Sequence, residues 1–261
     1  MGRIGAMTLR YWYLLRRSWP RLLDLVYWPT LNMIVWGLLT FYFNDHQSTG
    51  AEISGLLLGA VMLWDVLLRG QLGFTYSFLE EIWSRNIVNL MMSPLRPAEF
   101  AASLMLVSLM RLVIGMAPVT GLAILLFGFN IYGLGLPLIA FFGNLVICSC
   151  SVGMVVAGMV MRNGLGAEGL AWSAMMLLLP LSCVYYPVTT LPLWLQPIAW
   201  SLPPTYVFEG MRAVLFEQKF RADLMLEGFS LNLFYLGLGF MAFLLLVRAA
   251  REKGSILTMG E

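Results

Sequence analysis

Residues able to carry out covalent or metal chemistry are scarce in this 261-residue chain, and none is spaced for it. The single histidine, His46, stands in a short polar link beside Asp45. One imidazole per chain cannot supply paired haem ligands or a three-histidine zinc site. Cys148, Cys150 and Cys183 all lie inside apolar stretches, which suits small buried thiols better than a disulfide framework or a C-x-x-C zinc site. The only lysines are Lys219 and Lys253. Neither follows the G-x-x-x-x-G-K-[ST] loop that cradles nucleotide phosphates, so ATP hydrolysis through a P-loop is excluded. Gly164, Gly166 and Gly169 match G-x-G-x-x-G, but they join two apolar runs instead of following a strand of a βαβ unit, and read as a turn. No G-x-S-x-G elbow, H-E-x-x-H pair or carboxylate dyad occurs in any apolar run. The chain is therefore read as no enzyme, with no cofactor or metal of its own.

Three charges do stand inside apolar runs, namely Asp65, Arg69 and Arg111. A charge in hydrocarbon costs roughly 2.5 to 3.5 kcal/mol on insertion scales, so it marks either a pair or a pathway. Asp65 and Arg69 are i, i+4 neighbours on one helix face. Arg69 and Arg111 lie at similar depth counted from the link between their helices, so a hairpin can bring all three together. They either hold two helices in register or line a substrate path. Trp36, Trp64, Tyr76, Trp172, Tyr185 and Tyr186 offer a stacking rail along such a path, or the ordinary aromatic belts of a membrane protein.

The elements that position these residues follow from composition. The chain is 60% hydrophobic and 11% charged, with mean hydropathy +0.80, so water is not its solvent. No basic footprint for nucleic acid is present. A membrane helix needs roughly 20 apolar residues, and six runs qualify: 25–43, 55–78, 101–127, 134–161, 169–187 and 230–247. The expected fold is an all-α membrane protein of one domain, 1–261, with six transmembrane helices. Pro29, Pro118, Pro137 and Pro180 predict kinks. Gly55 and Gly59 permit a close helix contact. Arg3, Arg10, Arg16, Arg17 and Arg21 precede the first run, and Arg248, Arg251 and Lys253 follow the last, which places both termini in the cytoplasm.

Three segments are more than tethers. Residues 1–24 read as an amphipathic interfacial helix, with Arg3, Arg10, Arg17 and Arg21 toward lipid phosphate and Ile4, Met7, Tyr11, Leu14, Leu15 and Leu22 beside them, or as an ordinary basic flank. Within 79–100, Ile82, Ile87, Leu90 and Met91 alternate with Glu80, Glu81, Arg85 and Asn89. This suits docking in the cleft of a cytoplasmic partner, or lying on lipid. The stretch 188–229 is expected outside. Its part from Thr189 to Pro204 is too broken by Pro192, Pro197, Pro203 and Pro204 to span, yet apolar through Trp194, Leu195, Ile198 and Trp200. It is expected to dip into the outer leaflet as a re-entrant hairpin or to lie there as an interfacial one, with Glu209, Arg212, Glu217, Lys219, Arg221, Asp223 and Glu227 as the charges of the link.

The link 79–100 resembles that of the type-2 ATP-binding-cassette permeases, through Glu81, Arg85, Ser93, Pro94, Pro97 and Phe100. It departs from that pattern in placing Ala98-Glu99 after the second proline, and in Trp83-Ser84-Arg85-Asn86 where a Gly-Thr pair is usual. Ser182-Cys-Val-Tyr-Tyr-Pro187, Leu191-Pro192, Trp194, Pro203-Pro204-Thr205-Tyr206 and Glu209-Gly-Met-Arg212 resemble the same family's re-entrant hairpin and following segment. The resemblance implies the permease subunit of an exporter for an amphipathic cargo, such as a drug, lipid or lipid-linked glycan, in a bacterial inner membrane. The implied partners are a second copy of the permease, two cytoplasmic ATPase subunits that bind ATP and Mg, and the lipid bilayer. It implies ATPase coupling through Glu80, Glu81, Arg85, Ser93, Pro94 and Pro97, while the broken apolar hairpin, read from its own residues, offers an outer gate at Tyr185, Tyr186, Pro187, Pro192 and Trp194. A non-transport membrane scaffold of an enzyme complex stays open as the alternative.

Overall fold

The computed structural model describes residues 2–46 and 50–253. The side chains of Asp45, His46, Met91, Arg251 and Lys253 lie outside the described residues, so the readings placed on them stop at the sequence. Every regular element among the described residues is helical. In chain order these are α1 (Arg3–Arg17), α2 (Trp19–His46), α3 (Gly50–Trp83), α4 (Ile87–Met92), α5 (Pro97–Phe127), α6 (Leu136–Asn163), α7 (Leu170–Leu181), α8 (Gln196–Trp200), α9 (Pro203–Glu217) and α10 (Ala222–Lys253).

Five of them, α2, α3, α5, α6 and α10, are long and apolar enough to cross a membrane. The run expected at 169–187 is helical only over the 12 residues of α7, about 18 Å of a hydrocarbon core some 30 Å thick. Pro180 lies in its last turn, and Cys183 beyond it takes a left-handed backbone, φ 53°. The last long helix begins at Ala222, a full two turns before the expected 230. Likewise α5 starts at Pro97, where proline at the first position leaves no orphan N–H. Pro137 opens α6 in the same way and does not kink it, whereas Pro29 and Pro118 sit within continuous helices.

The core is organised around α3. In its apolar window 78% is buried, against 17% for α2 and 22% for α10, so α3 is the central rod and the other two lie outside. Small residues on α3 allow this. Ser108 of α5 donates to the Gly70 carbonyl at 2.5 Å, and a Cβ at Gly70 would sit 2.3 Å from the Ser149 hydroxyl of α6. Gly59 faces Met211 of α9, so the Gly55/Gly59 pair serves packing within the chain. Gly115 of α5 brings that helix against the backbone of α2, where an added Cβ would lie 2.8 Å from the Leu25 carbonyl.

Helices α6 and α10 run side by side in the same direction. Asn232 donates to both the backbone and side-chain oxygens of Asn144 at 2.9 Å. Farther along, Gly239 abuts the Ser151 carbonyl and Leu246 abuts Gly158. The contacts recur at heptad spacing on both helices, which gives a parallel seam with a polar bolt at one end.

Candidate functional site

Helix α1 carries one buried face, Met7, Tyr11 and Leu15, at i, i+4 spacing. Each such side chain gains roughly 1.5–3 kcal/mol when taken out of water. Arg3 and Arg10 beside that face, with Arg21 of α2, approach carboxylates of the bundle. Arg10 grips Glu81 at the end of α3 with two parallel bonds, 2.7 and 3.1 Å, and Glu81 also accepts from Asn86 at 2.7 Å. Glu81 is only 1% exposed. Burial pulls the Arg10 pKa down, but the Glu81 hydrogen bond and charge outweigh it, so the guanidinium stands above its ordinary value. Burial first, and then the Glu81 charge, push the Tyr11 phenol well above its usual range, which keeps it protonated. Arg3 donates to the Pro94 carbonyl at 2.7 Å and pairs with Glu99 at 3.4 Å. Glu99 in turn caps α5 by accepting from the Arg96 N–H at 2.8 Å. The N-terminal helix is therefore fastened at one end of the bundle to both sides of the α3–α5 connection.

That connection divides its residues into two groups. Ile82 and Ile87 are each 2% exposed and belong to the core, so they are not the docking knobs expected of them, and Leu90 is half-buried. Helix α4 is a single amphipathic turn and a half, and its apolar side has the core within reach. Among the described residues, the large apolar side chains that the connection exposes are Trp83 and Met92. Arg85 lies between them, exposed, with a left-handed backbone (φ 54°) that reverses the chain without glycine. Ser93 turns its hydroxyl back onto the Leu90 carbonyl at 2.6 Å. Pro94 is exposed and Pro97 half-buried at the start of α5.

Glu80 points the other way, toward a cavity of about 570 Å³ walled by α2, α3, α5 and α7. Arg111 donates to both Glu80 oxygens, at 2.9 and 2.8 Å, and Arg21 approaches to 3.8 Å. The expected cluster of Asp65, Arg69 and Arg111 therefore does not form, because the long Arg111 side chain reaches along the helices to Glu80 near the end of α3. Asp65 accepts instead from Asn32 of α2 at 3.3 Å. Arg69 makes no ion pair within 4.0 Å among the described residues, and it lines the cavity with Arg111. Of the aromatic rail, Trp172 donates to the Tyr76 hydroxyl at 2.9 Å, Trp36 stacks on Tyr185 at 4.7 Å, and Trp64 is core.

At the opposite end the α7–α9 segment closes on an ion pair whose arginine is buried and whose glutamate is half-buried. Arg212 of α9, 7% exposed, bonds Glu209 at 3.0 Å, the Val184 carbonyl at 3.0 Å and the Cys183 carbonyl. Glu209 accepts from the Val188 N–H at 2.8 Å. These two, expected among the charges of a solvated link, instead tie down the turn that carries Tyr185, Tyr186 and Pro187. Their i, i+3 spacing on a helix was the signal available in the sequence. Tyr186 donates to the Pro180 carbonyl at 2.7 Å, while Pro192 and Trp194 are exposed, Trp194 by 71%.

An all-helical chain with five membrane-length helices and a fastened helical connection at one end defines a multi-pass membrane protein. The family model described as ABC-2 type transporter matches residues 3–216, so the chain belongs to that family and is the permease component of an ATP-binding-cassette transporter. Permeases of this family work with ATP-binding-cassette ATPases. No curated protein matches the chain.

Proposed function

We propose that the chain is the membrane subunit of an exporter in a bacterial inner membrane, acting as a pair with a second copy and driven by two cytoplasmic ATPases that hold the ATP and Mg. Its cargo is amphipathic. Both termini are cytoplasmic, with α1 and the α3–α5 connection on the same side. The observation that carries this reading is the division within the connection. Trp83, Arg85 and Met92 are exposed at the foot of the central rod α3, while Glu81 and Arg10 tie the same foot to α1. A push on that surface passes into the most buried helix of the fold without first spending itself on a flexible link.

The parallel seam of α6 and α10 supports a sixth crossing. Parallel neighbours need a connection that returns the full depth of the bundle, and α7 followed by the α8–α9 hairpin is the segment available. A hairpin of this kind is stable at membrane depth only when its backbone polar groups are met by protein, which is what Arg212 and Glu209 do for the 183–188 turn. That fits an outer gate at Tyr185, Tyr186, Pro187, Pro192 and Trp194.

The test uses two changes at one residue. Arg85→Glu reverses the exposed charge, and Arg85→Gly keeps the left-handed turn but removes the side chain. Both are expected to insert normally. Arg85→Glu is expected to lose transport and ATPase stimulation by tenfold or more, with Arg85→Gly between it and the parent. Unchanged export and stimulation in both variants would remove the docking role.

A further inference from the structure

The cavity against Glu80 contains donors that the protein does not use. The Nε atoms of Arg69 and Arg111 are buried and have no hydrogen-bond partner. A guanidinium has no acceptor capacity, so only an acceptor can satisfy these groups. A buried donor left unpaired is costly, and Arg69, half-buried in the cavity wall, also makes no ion pair within 4.0 Å among the described residues, which leaves its guanidinium open to an acceptor in the cavity. Carboxylates of the chain do not fill the role. Both Glu80 oxygens are taken by Arg111, with Arg21 alongside. Asp24 and Glu168 also line the cavity but are exposed, and neither comes within 4.0 Å of an arginine nitrogen among the described residues. Asp65 lies one turn from Arg69, outside the cavity lining and without an ion pair to it. The cavity lining thus sets Arg21, Arg69 and Arg111 against Asp24, Glu80 and Glu168, with Glu80 taken by Arg111 and Arg69 without an ion pair within 4.0 Å among the described residues.

The space is much larger than an inorganic ion requires. At about 570 Å³ it is the size of an organic-ligand pocket. Leu15, Leu25, Leu72 and Gly115 give it an apolar wall, and Tyr76, Trp83 and Trp172 add aromatic faces of the kind found at headgroup level. We propose that this cavity binds the phosphate-ester headgroup of a membrane amphiphile, with Arg69 as the principal phosphate contact and Arg111 beside it. Planar guanidinium donors suit phosphoryl oxygens, and at the boundary of the bilayer the fatty chain continues along the apolar wall. The assignment deepens the permease reading by naming the headgroup that enters, and rests on that reading only for the direction in which the amphiphile then moves.

The test is native mass spectrometry of the full-length chain released from detergent, titrated with a short-chain phosphatidylethanolamine, a short-chain phosphatidylglycerol and the matching phosphate-free diglyceride, with inorganic phosphate as competitor. The phospholipids are expected to bind about tenfold or more tightly than the diglyceride. Arg69→Gln is expected to lower that affinity about tenfold, while Arg248→Gln, the same charge change on an exposed residue of α10, leaves it unchanged. Where Arg69→Gln fails to insert, Arg21→Gln at the cavity mouth replaces it, with an expected loss of a few-fold. Competition by millimolar phosphate supports the phosphate contact. Binding of phosphate alone, with no competition from either phospholipid, overturns the amphiphile. Equal affinity for the diglyceride, or no loss in either arginine variant, overturns the site. None of these readings needs an ATPase, so a failure here is separable from a failure at Arg85.

Discussion

The two ends of the molecule each fasten an irregular segment with an arginine and a glutamate, and they do so in different ways. At the α1 end, Arg10 and Glu81 come from segments 71 residues apart and join two helices through side chains alone. At the other end, Arg212 and Glu209 stand one turn apart on α9, and between them they also take up backbone groups of Cys183, Val184 and Val188. The first arrangement joins two bodies that can separate when one bidentate contact opens. The second replaces the missing helical bonds of a turn and leaves that turn no alternative partner. A moving part is better fastened in the first way, and a fixed rim in the second.

The largest effect expected from breaking this comparison is at Arg212. Arg212→Ala leaves the half-buried Glu209 without its cation and the two buried carbonyl contacts of the turn without that donor. Removing one member of a buried pair costs about 3 kcal/mol or more, which would appear in denaturant or thermal unfolding in detergent. Arg212→Lys is expected to recover little, since one ammonium cannot span a carboxylate and two carbonyls. A loss of under about 1 kcal/mol for the alanine variant would mean that the turn is held by packing.

The pair at the α1 end sharpens the contrast, because its two members are not equivalent. Glu81 is buried, whereas the Arg10 side chain is 37% exposed. Arg10→Gln strands a buried carboxylate that keeps the neutral donors Asn86 and Tyr11 but no cation, while Glu81→Gln frees an arginine that can reach water. Arg10→Gln is therefore expected to cost about 2 kcal/mol and Glu81→Gln about 1, with a favourable coupling of about 1 kcal/mol in the double-mutant cycle. Amide exchange along α1 should rise in both single variants, and more in Arg10→Gln. The reverse order of costs would show that Glu81 is not the dependent partner.

Much of this was legible in the sequence, unequally so. Hydropathy located the five long helices, because a window average does not depend on which way any side chain points. It did not show where the helix within 169–187 ends, since the composition stays apolar while Pro180 and the left-handed Cys183 close it after Leu181. The positive N-terminus was legible as a helix with one apolar face. Which way its arginines turn was not, since lipid phosphate and the carboxylates of α3 and α5 are equivalent partners until the tertiary structure puts Glu80, Glu81 and Glu99 beside them. Periodicity likewise gave Ile82 and Ile87 an apolar face without saying whether that face meets the core or a partner. Asn144 and Asn232, polar residues inside apolar runs, were the missed signal for the α6–α10 seam. The aromatic residues were visible as a set, but the pairing of Trp36 with Tyr185 and of Trp172 with Tyr76 needs the fold.

The smallest effect separates burial from geometry as the source of these differences. Arg221 and Asp223 form the shortest ion pair described in the chain, 2.5 Å, with two further contacts at 2.9 and 3.0 Å. By geometry alone it should rival Arg10–Glu81. Its side chains, however, are 48% and 52% exposed, and it joins residues two positions apart at the start of α10, so opening it neither strands a charge nor frees a segment. Water solvates both partners after the change, and salt screens them before it. Arg221→Ala is therefore expected to leave the melting temperature in detergent unchanged within measurement, at low and at high salt. A drop matching that of Arg10→Gln would make contact distance, and not the burial of the carboxylate, the quantity that ranks the three pairs.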